Sequence, residues 1–235
     1  MPIDAIVFDK DGTLFDFANT WGAFGCSMLL RLSNQDETRA TELGQIIGFD
    51  FQQQRYAEDS IVIAATVDEI AEVLAPHVED MSFGELVELM NAEAAAVPQA
   101  PATPLAPLLE RLQNSGIKLG IATNDSEHPA LEHLVSAGVR QHFDFVAGYD
   151  SGHGFKPGPG QLLAFAAHVG VEPARIAMVG DSLHDLQAGR AAGMTTIGVL
   201  TGLATAEALA PMADVVLPDI GHIPGWLLEN QHAKL

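Results

Sequence analysis

Asp9 and Asp11 stand two residues apart directly after the apolar run 5–8, in the segment Asp9-Lys10-Asp11-Gly12-Thr13. Two carboxylates at that spacing converge if the chain turns sharply, which Gly12 permits. One could then attack an electrophile while the other handles a proton, and backbone N–H groups after the turn could hold an anion.

Three further segments carry polar groups after apolar runs. Thr123 and Asn124 close Ile121-Ala122-Thr123-Asn124-Asp125, offering a hydroxyl and an amide to an anion. Taken alone, a Thr or Asn capping the next helix is the commoner explanation. Lys156, one of four lysines in an acidic chain, lies in Phe155-Lys156-Pro157-Gly158-Pro159 as a candidate fixed counter-charge. Asp181 and Asp185 follow the run 176–179 in Gly180-Asp181-Ser182-Leu183-His184-Asp185. With a helix starting near Ser182, the four-residue spacing brings both carboxylates to one side. A set of hard oxygen donors suits Mg²⁺.

Strands ending at these segments are what must position them. Apolar runs at 5–9, 118–123, 143–148, 176–181, 195–200 and 214–219 read as buried strands. Helical patterns at 105–115, 129–137, 160–169 and 183–192 lie between them. Strands alternating with helices predict a parallel sheet covered on both faces. All four chemical segments then fall on one sheet edge, where Asp9, Asp11, Thr123, Lys156, Asp181 and Asp185 can meet. Four carboxylates there would repel one another without a cation.

Residues 17–96 break the alternation. They contain no convincing strand and read mostly as helix, at 36–47, 68–75 and 82–96. The return 98–107 carries four prolines, which neither continue a helix nor enter a central strand. This predicts a helical insertion after the first strand, with hinges near 14–18 and 97–104.

Composition narrows the function classes. With 11 basic against 31 acidic residues the net charge is −20, so nucleic acid and anionic membrane surfaces are poor partners. An anionic substrate needs a local positive site. The lone Cys26, the lack of a secretory pattern and the lack of a ~20-residue apolar run fit a soluble cytoplasmic protein. The nine histidines show no H-x₃-H pair of the kind that would indicate a zinc site.

In their order along the chain, Asp9-Lys10-Asp11-Gly12-Thr13, Ala122-Thr123-Asn124, Lys156 and the segment 180–185 resemble the motifs of the haloacid dehalogenase superfamily. The stretch 180–202 is most similar to its phosphoglycolate phosphatase branch. The resemblance implies a Rossmann-like, doubly wound α/β sheet domain at 1–16 and 97–235 with an inserted α-helical cap at 17–96. It implies Asp9 as nucleophile and Asp11 as general acid/base. Asp9, Asp181, Asp185 and the Asp11 carbonyl would ligate Mg²⁺, while Thr123, Asn124, Lys156 and Gly12 would hold the phosphoryl group. The expected activity is hydrolysis of a small phosphorylated metabolite, phosphoglycolate-like or a sugar phosphate. The sequence departs from many relatives at Lys10, where an apolar residue is usual; alternation directs Lys10 away from the pocket.

Other activities of the superfamily fit less well. Dehalogenation needs neither a metal nor an acid at position 11. Phosphonate cleavage needs a cap lysine, and 17–96 has none. A phosphomutase leans on cap cations, here only Arg31, Arg39 and Arg55 against fourteen acids. Inorganic pyrophosphatase and a non-catalytic binding protein remain open. Trp21 and Phe24 are candidate pocket liners, His184 a rim residue, and Arg55 the candidate partner for a substrate carboxylate.

Overall fold

The computed structural model describes residues 2–57, 59–63, 65–78 and 80–232. After β1 (Ala5–Phe8) the chain leaves for the cap: α1 (Phe17–Leu32), α2 (Glu37–Ile46), the pair β2 (Phe49–Asp50) and β3 (Arg55–Tyr56), α3 (Val67–Leu74) and α4 (Phe83–Ala96). It returns through α5 (Leu105–Asn114), β4 (Lys118–Ala122), α6 (Glu127–Ser136), β5 (Phe145–Ala147), α7 (Gly160–Val169) and β6 (Ile176–Gly180). It finishes with α8 (Leu183–Ala192), β7 (Thr195–Val199), α9 (Ala206–Leu209), β8 (Val215–Leu217) and α10 (Ile223–His232).

Among the described residues the main sheet has six strands in the order β5-β4-β1-β6-β7-β8, every pair parallel. β1 is apolar throughout because both its faces are covered: Ile6 and Phe8 enter one core cluster, Ala5 and Val7 the other. The chain steps from β1 to β4 on one side and later to β6 on the other. The topology therefore switches at β1, where open α/β sheets bind ligands. Phe8 pairs with Ile121 and with Val179, which sets Asp9 level with the ends of β4 and β6.

The cap packs around its own centre. Val67, Ile70, Ala71 and Leu74 repeat at helical spacing on α3 and meet Met28, Leu43, Leu86 and Met90. Capping boxes at Thr66 and Ser82 start α3 and α4. The two chain crossings between cap and sheet domain bond to each other: Asp16 N donates to Ala100 O at 2.8 Å, and Ala102 N to Leu14 O at 2.9 Å.

The β2–β3 pair sits in a stretch expected to be free of strands. Two residues a side cannot display an alternating pattern, and the pair is held by the Phe49 and Tyr56 rings, 4.6 Å apart.

Candidate active site

The turn after β1 starts with Asp9, whose N–H donates to Val179 O at 2.8 Å. Gly12 adopts φ +81°, and a Cβ there would collide with the Asp181 carboxylate. Only glycine satisfies both constraints. Its N–H is committed to Phe15 O at 2.7 Å, so the expected phosphate contact from Gly12 is replaced by a steric role: it makes room for Asp181.

Asp181 ends β6, and Ser182 caps α8. Ser182 N and Oγ donate to Asp185 Oδ2 at 3.0 and 2.7 Å, and Asp185 N returns a bond to Ser182 Oγ at 3.4 Å. This box fixes Asp185 in the first helical turn, facing back to the strand end. Lys156 Nζ bridges the two halves of the site, 2.6 Å from Asp9 Oδ1 and 2.6 Å from Asp185 Oδ1.

The Lys156 loop is held by Asn124. Its amide donates to Lys156 O and accepts from Lys156 N, both at 2.9 Å. Asn124 lines the chamber, but these side-chain bonds position the lysine; the sequence reading had assigned them to phosphate. Thr123 is buried at the chamber wall, with Oγ1 accepting from Asp125 N at 3.1 Å.

Lys10 points out of the chamber, as alternation predicted, yet it reaches the site from behind. Its Nζ lies 2.6 Å from both Asp11 oxygens, 3.3 Å from Asp125 Oδ2 and 3.0 Å from His133 Nδ1. Trp21 Nε1 donates to Asp11 Oδ1 at 2.9 Å. His133 Nε2 faces the Ala94 carbonyl at 2.8 Å. A carbonyl only accepts, so Nε2 carries the hydrogen and Nδ1 accepts from the ammonium. Burial and Lys10 hold His133 down to about 4, and the ring is neutral.

Asp125 and His133 were missed in the sequence. A charged residue between the two acids was the available signal, since a buried lysine requires buried acceptors. The structure does not bring Arg55 to the site. It is exposed on β3 and borders a separate groove near Phe49 and Gln52. Arg31 pairs with Glu93 at 2.7 Å and Arg39 with Glu42 at 2.8 Å, both away from the chamber.

The acids collect in one place. Among the described residues, Asp9, Asp181 and Asp185 each offer a buried oxygen, all within 4.8 Å of one another. Burial pushes Asp9 up to about 7; Lys156 opposes this, and Asp185 and Asp11 reinforce it. Burial, then Asp185 and Asp9, push Asp181 well up. Burial works against the Lys156 charge, but Asp185 and Asp9 outweigh it and raise its pKa. The chamber above encloses about 710 Å³ between sheet domain and cap, part of it open to solvent. His184 is half-buried on its edge.

The family model described as haloacid dehalogenase-like hydrolase matches residues 3–193. The chain belongs to the haloacid dehalogenase-like hydrolases. It is 30% identical over 219 residues to a probable phosphatase, IndB, of Dickeya dadantii, covering 91% of this chain and 88% of that one. It is 30% identical over 222 residues to phosphoglycolate phosphatase of Salmonella typhimurium, covering 88% and 85%. Crystalline CbbY from Rhodobacter sphaeroides, in complex with phosphate, shares the fold with a TM-score of 0.72, 21% identity and coverage of 94% and 96%.

The donor set of this hydrolase fits a hard divalent cation. Three buried carboxylates face one ammonium; burial, reinforced by repulsion between the acids, raises the pKa values of Asp9 and Asp181, and such an ion relieves that repulsion. The Asp11 side chain, turned to Lys10 and Trp21, stands outside that cluster.

Proposed function

We propose that this hydrolase is a Mg²⁺-dependent phosphatase of small phosphate monoesters that works through a phosphorylated Asp9. The observation that carries the reading is the joining of Asp9, Lys156, Asp181 and Asp185 at the sheet edge with Asp11 beside them. The names of the two curated relatives support it.

Asp9 attacks phosphorus in line with the departing oxygen. Lys156, fixed by the Asn124 amide, binds the non-bridging oxygens and balances their charge. Asp11 donates its proton to the leaving alkoxide and then takes one from the water that splits the acyl phosphate. Asp9 is regenerated and inorganic phosphate leaves. Asp9, Asp181 and Asp185 would hold the Mg²⁺, which neutralises carboxylate repulsion and polarises the phosphoryl oxygens when bound. The cap excludes bulk water while the ester is bound.

The phosphomutase and pyrophosphatase alternatives lose support at the cap. Both need cations around a second phosphate, and among the described residues no cap arginine lines the chamber. The test is phosphate release from acetyl phosphate and simple esters, with Mg²⁺ or chelator, beside Asp9→Asn. Metal-dependent release lost in the variant is expected. Equal release by both proteins would refute the assignment.

A further inference from the structure

The chamber's two ends have opposite chemistry. The sheet end carries Asp9, Asp11, Asp125, Asp181 and Asp185 with Lys156, and Lys10 backs Asp11 from behind. Taken formally, five carboxylates against two ammonium groups leave an excess of three negative charges, and a bound divalent cation still leaves one. The cap end is apolar. Phe17, Trp21 and Phe24 form one wall, with Trp21 and Phe24 edge to face at 4.8 Å; Val67, Ile70 and Met90 form the other. Asn91 is the one polar cap residue of the lining among the described residues, and its Oδ1 already accepts from Ser126 Oγ at 2.8 Å.

The aromatic wall is tied to the proton donor. Trp21 Nε1 bonds Asp11 and so sets the indole beside the group that would protonate the leaving alkoxide. A group attached to that oxygen would then meet the rings that line the cap end. A carboxylate or second phosphate there would be stripped of water, meet no cation and face the acidic end. An apolar group would gain burial and ring contact.

We propose that the released alcohol is uncharged and apolar, of the aromatic or similarly hydrophobic class, and that carboxylated esters such as 2-phosphoglycolate are poor substrates. This rests on the phosphatase reading and narrows it. It departs from the substrate named by the Salmonella relative.

The experiment compares kcat/KM in matched pairs, with acetyl phosphate, whose small acetate leaving group departs without needing a proton, as the reference. The pairs are benzyl phosphate against 4-carboxybenzyl phosphate, and ethyl phosphate against 2-phosphoglycolate. The neutral member of each pair is expected to lead, on the order of 10²-fold for the benzyl pair. Parity or a preference for the carboxylated members would overturn the proposal while leaving the phosphatase reading intact. No metal-dependent release even from acetyl phosphate would overturn both. Met90→Lys places a cation of similar length on the cap wall and should shift the benzyl ratio at least ~10-fold toward the carboxylated ester. An unchanged ratio in a variant that still turns over acetyl phosphate would also count against the proposal. If Met90→Lys does not fold, the wild-type ratios decide.

Discussion

Lys10→Met removes the ammonium behind Asp11 while keeping the length and apolar stem of the side chain. The lysine is fully buried, and it faces Asp11 at 2.6 Å and Asp125 at 3.3 Å. Removing one partner of a buried ion pair costs about 3–5 kcal/mol, mostly through the charge left behind. Asp11 keeps Trp21 and opens on the chamber, so it can rehydrate; its side chain is 14% exposed. Asp125 is more enclosed, and burial has already pushed it up to about 6 against the pull of Lys10. The loss should therefore fall near the lower end, about 3 kcal/mol, read as a drop in urea midpoint at unchanged slope. Most of it should return in Lys10→Met/Asp125→Asn, which removes the orphaned charge. The rate should fall as well, because Asp11 loses its shortest contact. About 10-fold in kcat is expected, against the 10²–10⁴-fold that general acid–base catalysis supplies in all. Wild-type stability in Lys10→Met, or no recovery in the double variant, would refute the assignment of Lys10 as the counter-charge of both acids.

Asp11→Asn should lower kcat by about 10²–10⁴-fold on alkyl esters and far less on aryl esters with good leaving groups; steady-state kinetics on both classes checks this. Gly12→Ala should weaken Mg²⁺ activation, because the Cβ strikes Asp181 and φ +81° is strained for alanine; a Mg²⁺ titration of activity reads it. The metal-free protein should lose stability as pH rises through about 7. Asp9 holds its proton up to about 7 when folded, against 3.8 as its ordinary value, so its contribution is full below the unfolded value and vanishes above the folded one. Asp125, at about 6, has the same sign. His133, held near 4 against 6.5, has the opposite sign, but its contribution is already full above 6.5. Urea midpoints at about pH 6.5 and 8 with chelator should therefore diverge, and saturating Mg²⁺ should close the gap.

The sheet was readable because each central strand is covered on both faces and must be apolar end to end. Its polar terminators, at Asp9, Thr123 and Asp181, mark the edge where the chemistry collects. The helix after Asp181 was readable for the same local reason, as Ser182 and Asp185 form the box that starts it. What stayed hidden depends on contacts between residues far apart in sequence. Nothing near Lys10 announces that its ammonium meets His133, 123 positions away. Asn124 looks like a ligand for phosphate until the Lys156 loop folds onto its amide. Arg55 looked useful because cations are scarce in the cap, but scarcity carries no direction, and the short β2–β3 pair turns it outward.

The separate core of the cap bears on how the enzyme turns over. Its seat on the sheet domain includes a few polar contacts, Tyr149 to Asp68, Ser126 to Asn91 and His133 to Ala94, each worth about 1 kcal/mol net. Lifting the cap breaks these and wets the aromatic wall, but leaves both interiors packed. A substrate whose alcohol covers that wall thus supplies its own closing force. The phosphoryl group left on Asp9, and the phosphate that water frees from it, would touch none of it. On the proposed mechanism, departure of the alcohol would remove that closing force and free the lid to open for phosphate.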